Sequence, residues 1–500
     1  MKKRIVIIGA GFGGLAAANL LAKAGHQVSI YESHAAPGGR AGELIDQGYR
    51  FDTGPSWFLM PDVYEQYFAL LGKKITDYVT LDRLDPAYKV FFEQQPALTI
   101  GADVEANKHV FETIEPGAGS ALEKYLEESK STYSIALDNF LYDNLSYSNL
   151  LQPATIKLAP KLLPAVLSSM DGYVSRFFSD RRLRQILEYP AVFLGSSPFT
   201  TPSLYRLMSH LDFTQGVFFP RGGMYELVKA MVKVGNELGV DYHYNAPVSQ
   251  IVTDQAIATG IKLIDGTEVR ADLVISNADL HHTETALLPV DLQTYPEKFW
   301  RKKEAAPSAL LLYLGIKGKL PELEHHNLFF IDQWAENFKT IFDDHSWPNP
   351  ASMYVSKTTA TDPTAAPDGH ENIFVLVPGP SGESGGVDFE QLANTYIDQI
   401  ATMSGISDFA KRLVYKKIYQ PSDFQSDYHA WQNTALGLSH VLRQSAFMRP
   451  GISSKKVDNL YYVGANTAPG IGLPMCLIGA ELVYKKIHNI TTKGRLGSIG

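Results

Sequence analysis

The chain has 500 residues, 45% of them apolar and 20% charged, with a formal net charge of -8 and a single cysteine, Cys476. That length exceeds one hydrophobic core, so two domains or an elaborated α/β domain are expected. The charge excludes a general nucleic-acid binder, because no overall basic field draws phosphates, and the lone cysteine excludes an internal disulfide and cysteine-rich metal sites.

Lys3 to Ile8 is a short, apolar, β-branched run that predicts a buried parallel strand. Gly9-Ala10-Gly11-Phe12-Gly13-Gly14 follows at once, a G-x-G-x-x-G at Gly9, Gly11 and Gly14. Leu15 to Ala24 predicts a helix stopped by Gly25, and His26 to Tyr31 a second strand closed by Glu32. This is a βαβ unit with an acidic residue about 20 positions beyond the glycines. Gly9 permits the tight turn, Gly11 lets backbone approach a pyrophosphate, and Gly14 lets helix pack on strand. Gly13 lies in the same turn, and the helix N-terminus offers free N–H groups to phosphate. Glu32 accepts ribose hydroxyls and repels a 2′-phosphate, which disfavours NADP. Lys2, Lys3 and Arg4 imitate the start of a signal peptide, but the glycine pattern and Lys23 favour the nucleotide-binding unit. Gly38-Gly39-Arg40-Ala41-Gly42 decides between NAD and FAD. This G-G-R-x-G run resembles the second fingerprint of the flavin amine-oxidase superfamily, where the arginine backs the pyrophosphate.

Residues after Pro116 read as mostly helical. Leu158, Leu162, Val166 and Met170 recur at helical spacing among Lys157, Lys161, Arg176, Arg181, Arg182 and Arg184. That local basic excess, from Leu150 onward, predicts a face for an anionic membrane surface. Pro160 and Pro164 are expected to interrupt its helix. No run of about 18 or more apolar residues occurs, so a helical membrane span is not expected; a cytoplasmic, peripherally bound protein is.

A second nucleotide-binding piece begins at Phe218. A helix is expected over Tyr225–Leu238, strands over Val240–Tyr244, Val248–Thr253 and Val269–Ile275, and a hairpin turn at Asp265-Gly266. Ala309–Leu314 reads as a strand, with loops over Ala360–Gly369 and Pro378–Gly386. The third piece runs from Asn459, through a strand, Gly464-Ala465 and a Gly472-Leu473-Pro474-Met475 turn, into a helix over Cys476–Ile487. That second helix N-terminus would meet the negative charge of a reduced flavin. The expected fold class is α/β. A Rossmann-like FAD-binding domain is assembled from the discontinuous segments 1–75, 218–289 and 445–487, beside a mixed α+β substrate domain from 76–217 and 290–444. Residues 488–500 are expected to form a disordered tail.

The chain resembles the bacterial-type carotenoid desaturases, the phytoene desaturase family. The resemblance rests on Gly9–Leu15 with Glu32 and Gly38–Arg40, on Phe51-Asp52-Thr53-Gly54-Pro55, on Phe219–Met224, on Gln444–Pro450 and on Gly464–Pro474. Ala468 stands where many members carry histidine, and Gly479-Ala480 where many carry serine-alanine. The resemblance implies an FAD enzyme that inserts double bonds into a long hydrophobic isoprenoid. Hydride goes to flavin N5, the polyene delocalises the cation, and oxygen or a quinone is the final electron acceptor. Phytoene is the first expected substrate. A dehydrosqualene, a later carotenoid intermediate, carotenoid isomerisation and amine or protoporphyrinogen oxidation stand as alternatives. The expected cofactor-binding positions are Gly9, Gly11, Gly13, Gly14, Glu32, Gly39, Arg40, Gly54, Pro55, Val248, Asn277, Gly464, Ala465, Gly472, Pro474 and Met475. Arg221 is expected to line the site; Asp52, Glu226 and Asp279 are candidate proton acceptors, against a turn-shaping role for Asp52, a helix cap for Glu226 and a solvated face for Asp279. The adjacent pairs His281-His282 and His325-His326 point apart on any regular element, so no metal is expected.

Overall fold

The computed structural model describes residues 2–144 and 153–499, without the side chains of 153–156, 159 and 161. The β-branched apolar runs settle in a five-stranded parallel sheet, ordered Leu460–Tyr462, Leu273–Ser276, Arg4–Ile8, Gln27–Tyr31 and Asp241–His243. Ile7 stands opposite both Ile275 and Ile30. Distant parts of the chain thus supply adjacent strands. The helix Phe12–Lys23 is buried along almost its whole length and packs against Leu473–Ile487 and Tyr225–Glu237. It begins before the expected Leu15, because Gly13 and Gly14 are already helical; likewise Leu473 and Pro474 open the last helix, proline being suited to a first turn.

The expected strand over Val269–Ile275 is divided. Glu268–Arg270 pairs with Ile257–Leu263, and Leu273–Ser276 joins the parallel sheet. Asp272 pins the crossing by accepting the Arg4 backbone N–H at 2.7 Å and its guanidinium at 3.1 Å.

A seven-stranded mixed sheet forms the second layer system, ordered Leu413–Tyr419, Ser308–Lys317, His370–Gly379, Met353–Ser356, His326–Phe330, Tyr88–Phe92 and Leu98–Ile100. The apolar run inside Ser308–Lys317 is continuous because both faces are covered. Leu310, Leu312, Leu314 and Ile316 pack with Phe329, Val375 and Tyr396. Ala309, Leu311 and Tyr313 point the other way, onto a cavity wall.

Two expectations are corrected here. Pro160 and Pro164 do not interrupt their helix, which runs Pro153–Leu167. Both prolines lie on its exposed side, where a missing N–H is not buried. Residues 488–499 pack rather than remain disordered. Leu496 and Ile499 are buried, the Leu496 N–H donates to Glu481 at 2.7 Å, and Arg495 pairs with Asp62 at 2.5 Å. The polar composition that suggested disorder is absorbed by these specific partners.

Candidate functional site

A cavity of about 750 Å³ is walled by both sheets, within the range of small-molecule sites. The first strand-turn-helix builds its polar end. Gly9 takes φ +90°, turning the chain out of the strand. A β-carbon on Gly14 would collide with the Gly9 carbonyl oxygen, so this residue sets the helix–strand distance and stays off the cavity wall. Gly11 caps the helix without a side-chain bond, and Gly11, Phe12 and Gly13 line the cavity at that open N-terminus.

Glu32 is buried at the end of its strand. It accepts the Ala10 N–H at 2.7 Å, the His34 N–H at 2.9 Å and the Ser33 hydroxyl at 3.1 Å. Gly38 and Gly39 bring Arg40 to the same end. Its guanidinium carbon lies 5.7 Å from the Tyr428 ring centre, one terminal nitrogen donates to the Thr434 carbonyl at 3.4 Å, and Nε is buried with no partner among the described residues. Asn277 donates to the Val463 carbonyl at 2.8 Å and leaves Oδ1 unpartnered. A buried unpaired donor costs about 1–3 kcal/mol, a cost that an anionic pyrophosphate beside Arg40 removes. Orphaned donor, open helix end and glycine turn therefore fit a dinucleotide.

Gly54 belongs to the same wall, since a β-carbon there would collide with the Arg40 carbonyl oxygen; Pro55 follows it on the lining. Opposite, the strand Leu460–Tyr462 delivers Gly464 and Ala465, and the last helix presents Gly472, Pro474 and Met475. Arg449 supports this wall from behind. It donates to the carbonyls of Ala465 at 2.6 Å, Leu438 at 3.0 Å and Gln444 at 3.3 Å, and burial pushes its guanidinium down to about 10. Asp279 lines the cavity, accepts Asn466 at 3.0 Å, and caps the helix Leu280–Thr285 through the His281 N–H at 2.9 Å. Burial raises its pKa while Arg40 opposes the rise. Cys476 is half-buried on the same lining, and desolvation pushes its thiol up to about 12, leaving a neutral, weakly nucleophilic group.

Beyond Pro55 the lining turns apolar. Tyr189, Phe193, Leu207 and Met208 face Leu328, Phe330, Trp334, Phe338 and Tyr354. These side chains come from several separated segments, and no local spacing marks them in the sequence.

Four expected site residues lie elsewhere. Arg221 is exposed and forks onto Asp82 at 2.8 and 3.1 Å, tying the Phe218–Pro220 strand to Leu81–Arg83. Gly223, two residues on, approaches Asp52: a β-carbon there would stand 2.9 Å from Asp52 Oδ1. Asp52 is buried behind the wall and accepts the Tyr225 N–H at 3.3 Å; burial pushes its carboxyl up to about 7. It shapes the start of a helix rather than touching the cavity. Glu226 accepts from Lys229, one turn on, at 2.7 Å. Val248 pairs opposite Leu263 in an antiparallel strand, off the lining.

A glycine-turn dinucleotide grip opening into an apolar chamber, on this pair of sheets, fits a flavoprotein oxidoreductase of the α/β class. The family described as flavin containing amine oxidoreductase matches residues 12–482. The chain is 41% identical over 478 residues to a carotenoid 3,4-desaturase of Haloarcula japonica, covering 95% of this chain and 96% of that protein. It is 35% identical over 493 residues to a zeta-carotene-forming phytoene desaturase of Myxococcus xanthus, covering 97% and 94%. An oxidoreductase structure from Methanosarcina mazei shares the fold at a TM-score of 0.64 and 17% identity, covering 96% of this chain and 100% of that one. The chain belongs to the flavin containing amine oxidoreductases, in their phytoene desaturase branch. FAD is the cofactor of this family, and the polar end of the cavity fits it.

Glu32→Ala should weaken FAD binding by about 1–3 kcal/mol, through loss of charge-assisted hydrogen bonds. Fluorescence titration of apoprotein with FAD should read roughly a 5- to 150-fold rise in Kd. An unchanged Kd would remove Glu32 from the cofactor set.

Proposed function

We propose that the protein is an FAD-dependent desaturase of a linear carotenoid, with phytoene as its first substrate. One observation carries this reading: a single cavity joins the dinucleotide grip to a chamber walled by aliphatic and aromatic side chains. Bound FAD supplies a hydride acceptor at the flavin ring. The protein's part is to hold the cofactor through Glu32, Arg40 and the glycine turns, to keep water out, and to align an allylic carbon of the polyene. The names of the two relatives differ in substrate, so a later carotenoid intermediate stands beside phytoene, as does a thirty-carbon dehydrosqualene. Oxygen or a quinone is the proposed final acceptor.

Incubation of the FAD-bound protein with phytoene in liposomes tests the reaction type. New polyene absorbance with loss of two hydrogens per step, read by mass, supports desaturation. Changed geometry at constant mass would make it an isomerase, and no change with any linear carotenoid would overturn the reading.

The substrate resides in lipid, and the proposed membrane face is the helix Pro153–Leu167. Leu163 and Leu167 on it are 55% and 72% exposed, Lys157 is exposed, and the helix packs on Ser203–Arg206, whose Tyr205 lines the cavity. This narrows the expected stripe. Its Leu150 end lies outside the described residues, as does the Lys161 side chain, and Met170 is buried. Arg181, Arg182 and Arg184 are engaged by Asp332, Asp180 and Asp171, so they are not free for lipid. Among the described residues no helix is long and apolar enough to cross a membrane. A Leu163→Asp/Leu167→Asp variant should bind anionic liposomes at least about 100-fold more weakly, since each leucine contributes about 1.5–3 kcal/mol on full burial. Equal pelleting of variant and parent would place the membrane face elsewhere.

A further inference from the structure

Asp212 is a buried acid with no cation against it among the described residues. It lies on the segment His210–Gln215, and its Oδ2 accepts two hydroxyls, Tyr88 at 2.9 Å and Tyr189 at 3.1 Å. Oδ1 is buried with no partner among the described residues. A carboxylate held only by neutral donors is expensive to bury, and burial pushes this one up to about 7, the two hydroxyls opposing. Tyr189 carries the arrangement to the cavity, which it lines. Its ring centre lies 5.8 Å from Tyr88, 6.0 Å from Trp57 and 5.6 Å from Phe193. Trp57 also lines the cavity, just beyond Pro55 and the Gly54 turn that rests on Arg40. The cluster therefore begins where the nucleotide wall gives way to the apolar chamber.

We propose that Tyr189 and Asp212 form the proton-accepting relay of the desaturation, Tyr189 touching the substrate and Asp212 storing the proton. The proposal rests on the desaturase reading above. One allylic carbon loses hydrogen with its electron pair to FAD, the oxidant. The neighbouring C–H proton passes to the Tyr189 hydroxyl oxygen, and its bonding pair becomes the new π bond. The hydroxyl's own proton moves along the 3.1 Å bond to Asp212 Oδ2. The substrate has lost a hydride and a proton, FAD is reduced by the hydride, and the carboxylate has become a carboxylic acid. Because tyrosine passes on a proton as it receives one, it never becomes the tyrosinate that burial disfavours. Tyr88 orients the carboxylate through its other bond.

His326 faces the same cluster, stacked on Trp57 at 4.3 Å and bonded to the Tyr354 hydroxyl at 2.6 Å. Burial drives its pKa well below the ordinary value, so it stays neutral and stores no proton. Among the described residues, Asp212 bonds two tyrosines that do not ionise near neutrality, and His210 on its own segment is held below the ordinary value by burial.

The test uses FAD-bound enzyme with phytoene in liposomes. Asp212→Asn keeps an acceptor for both hydroxyls, so its flavin spectrum and KM should match the parent while kcat falls about 100-fold or more, the usual worth of a general base. Tyr189→Phe should fall similarly, and Tyr88→Phe by less than about tenfold. The parent's rate should decline as pH drops through about 7, where Asp212 becomes protonated, and Asp212→Asn should lose that inflection. Retention of kcat within about threefold in both Asp212→Asn and Tyr189→Phe would overturn the relay. So would a raised KM with the inflection unchanged, the mark of a merely structural role. Should Asp212→Asn fail to fold, Tyr189→Phe alone decides between these outcomes. Failure of the relay leaves parental desaturation intact, whereas failure of the desaturase reading removes it from the parent too.

Discussion

Gly11→Val should yield a colourless protein that retains less than about a tenth of the parent's flavin absorbance after FAD reconstitution and gel filtration, a loss of at least about 1.4 kcal/mol in binding. A β-carbon at this position already stands 2.6 Å from Asn277 Oδ1, and the Gly39 β-carbon position approaches Gly11 within 3.3 Å. Valine's two methyls add to that crowding at the open helix end, where the pyrophosphate must come against backbone. Asn277 can rotate aside, so the fold should survive; a thermal melt of the apoprotein checks this. Full flavin absorbance in the variant would contradict the cofactor assignment.

Lys485→Met should destabilise the protein by about 3–5 kcal/mol, the usual result of leaving one partner of a buried ion pair alone. Lys485 and Glu481 are each 3% exposed, with nitrogen and oxygen 3.6 Å apart on one face of the last helix. Lys485 also donates to the carbonyls of Tyr142 and Gly494, and Glu481 accepts the Leu496 N–H. Removing the cation leaves Glu481, whose carboxyl burial already pushes up to about 7, without its counter-charge. It also frees the terminal segment. Adding Glu481→Leu should recover part of the loss, because no uncompensated charge remains. Denaturant unfolding of both variants, with limited proteolysis of residues 488–499, measures the effect. A double variant as unstable as Lys485→Met alone would contradict the buried-charge explanation.

The nucleotide grip was legible because backbone geometry imposes its demands within a few adjacent positions. Gly9, Gly11 and Gly14 each answer a different steric requirement, and Glu32 closes the strand that the motif requires. Gly464, Gly472 and Met475, expected from the last strand-turn-helix, line the same cavity. Arg221 misled because a Pro-Arg-Gly-Gly run resembles an approach to phosphate. Gly222 and Gly223, at φ +97° and +104°, instead turn the chain onto Asp52, and the arginine faces Asp82. Asp212 gave no signal at all. Its meaning depends on Tyr88 from a strand and Tyr189 from a short helix far off in sequence, a contact that only tertiary packing creates. The apolar chamber was illegible on the same ground, since its walls read locally as ordinary core.

Anaerobic mixing of the FAD-bound protein with phytoene is the most direct test of the central claim. Desaturation predicts that the oxidised flavin band bleaches as coloured polyene accumulates, in proportion to the flavin present. A flavin that stays oxidised with every linear carotenoid precursor, yet is reduced by an amine or a porphyrinogen, would contradict it.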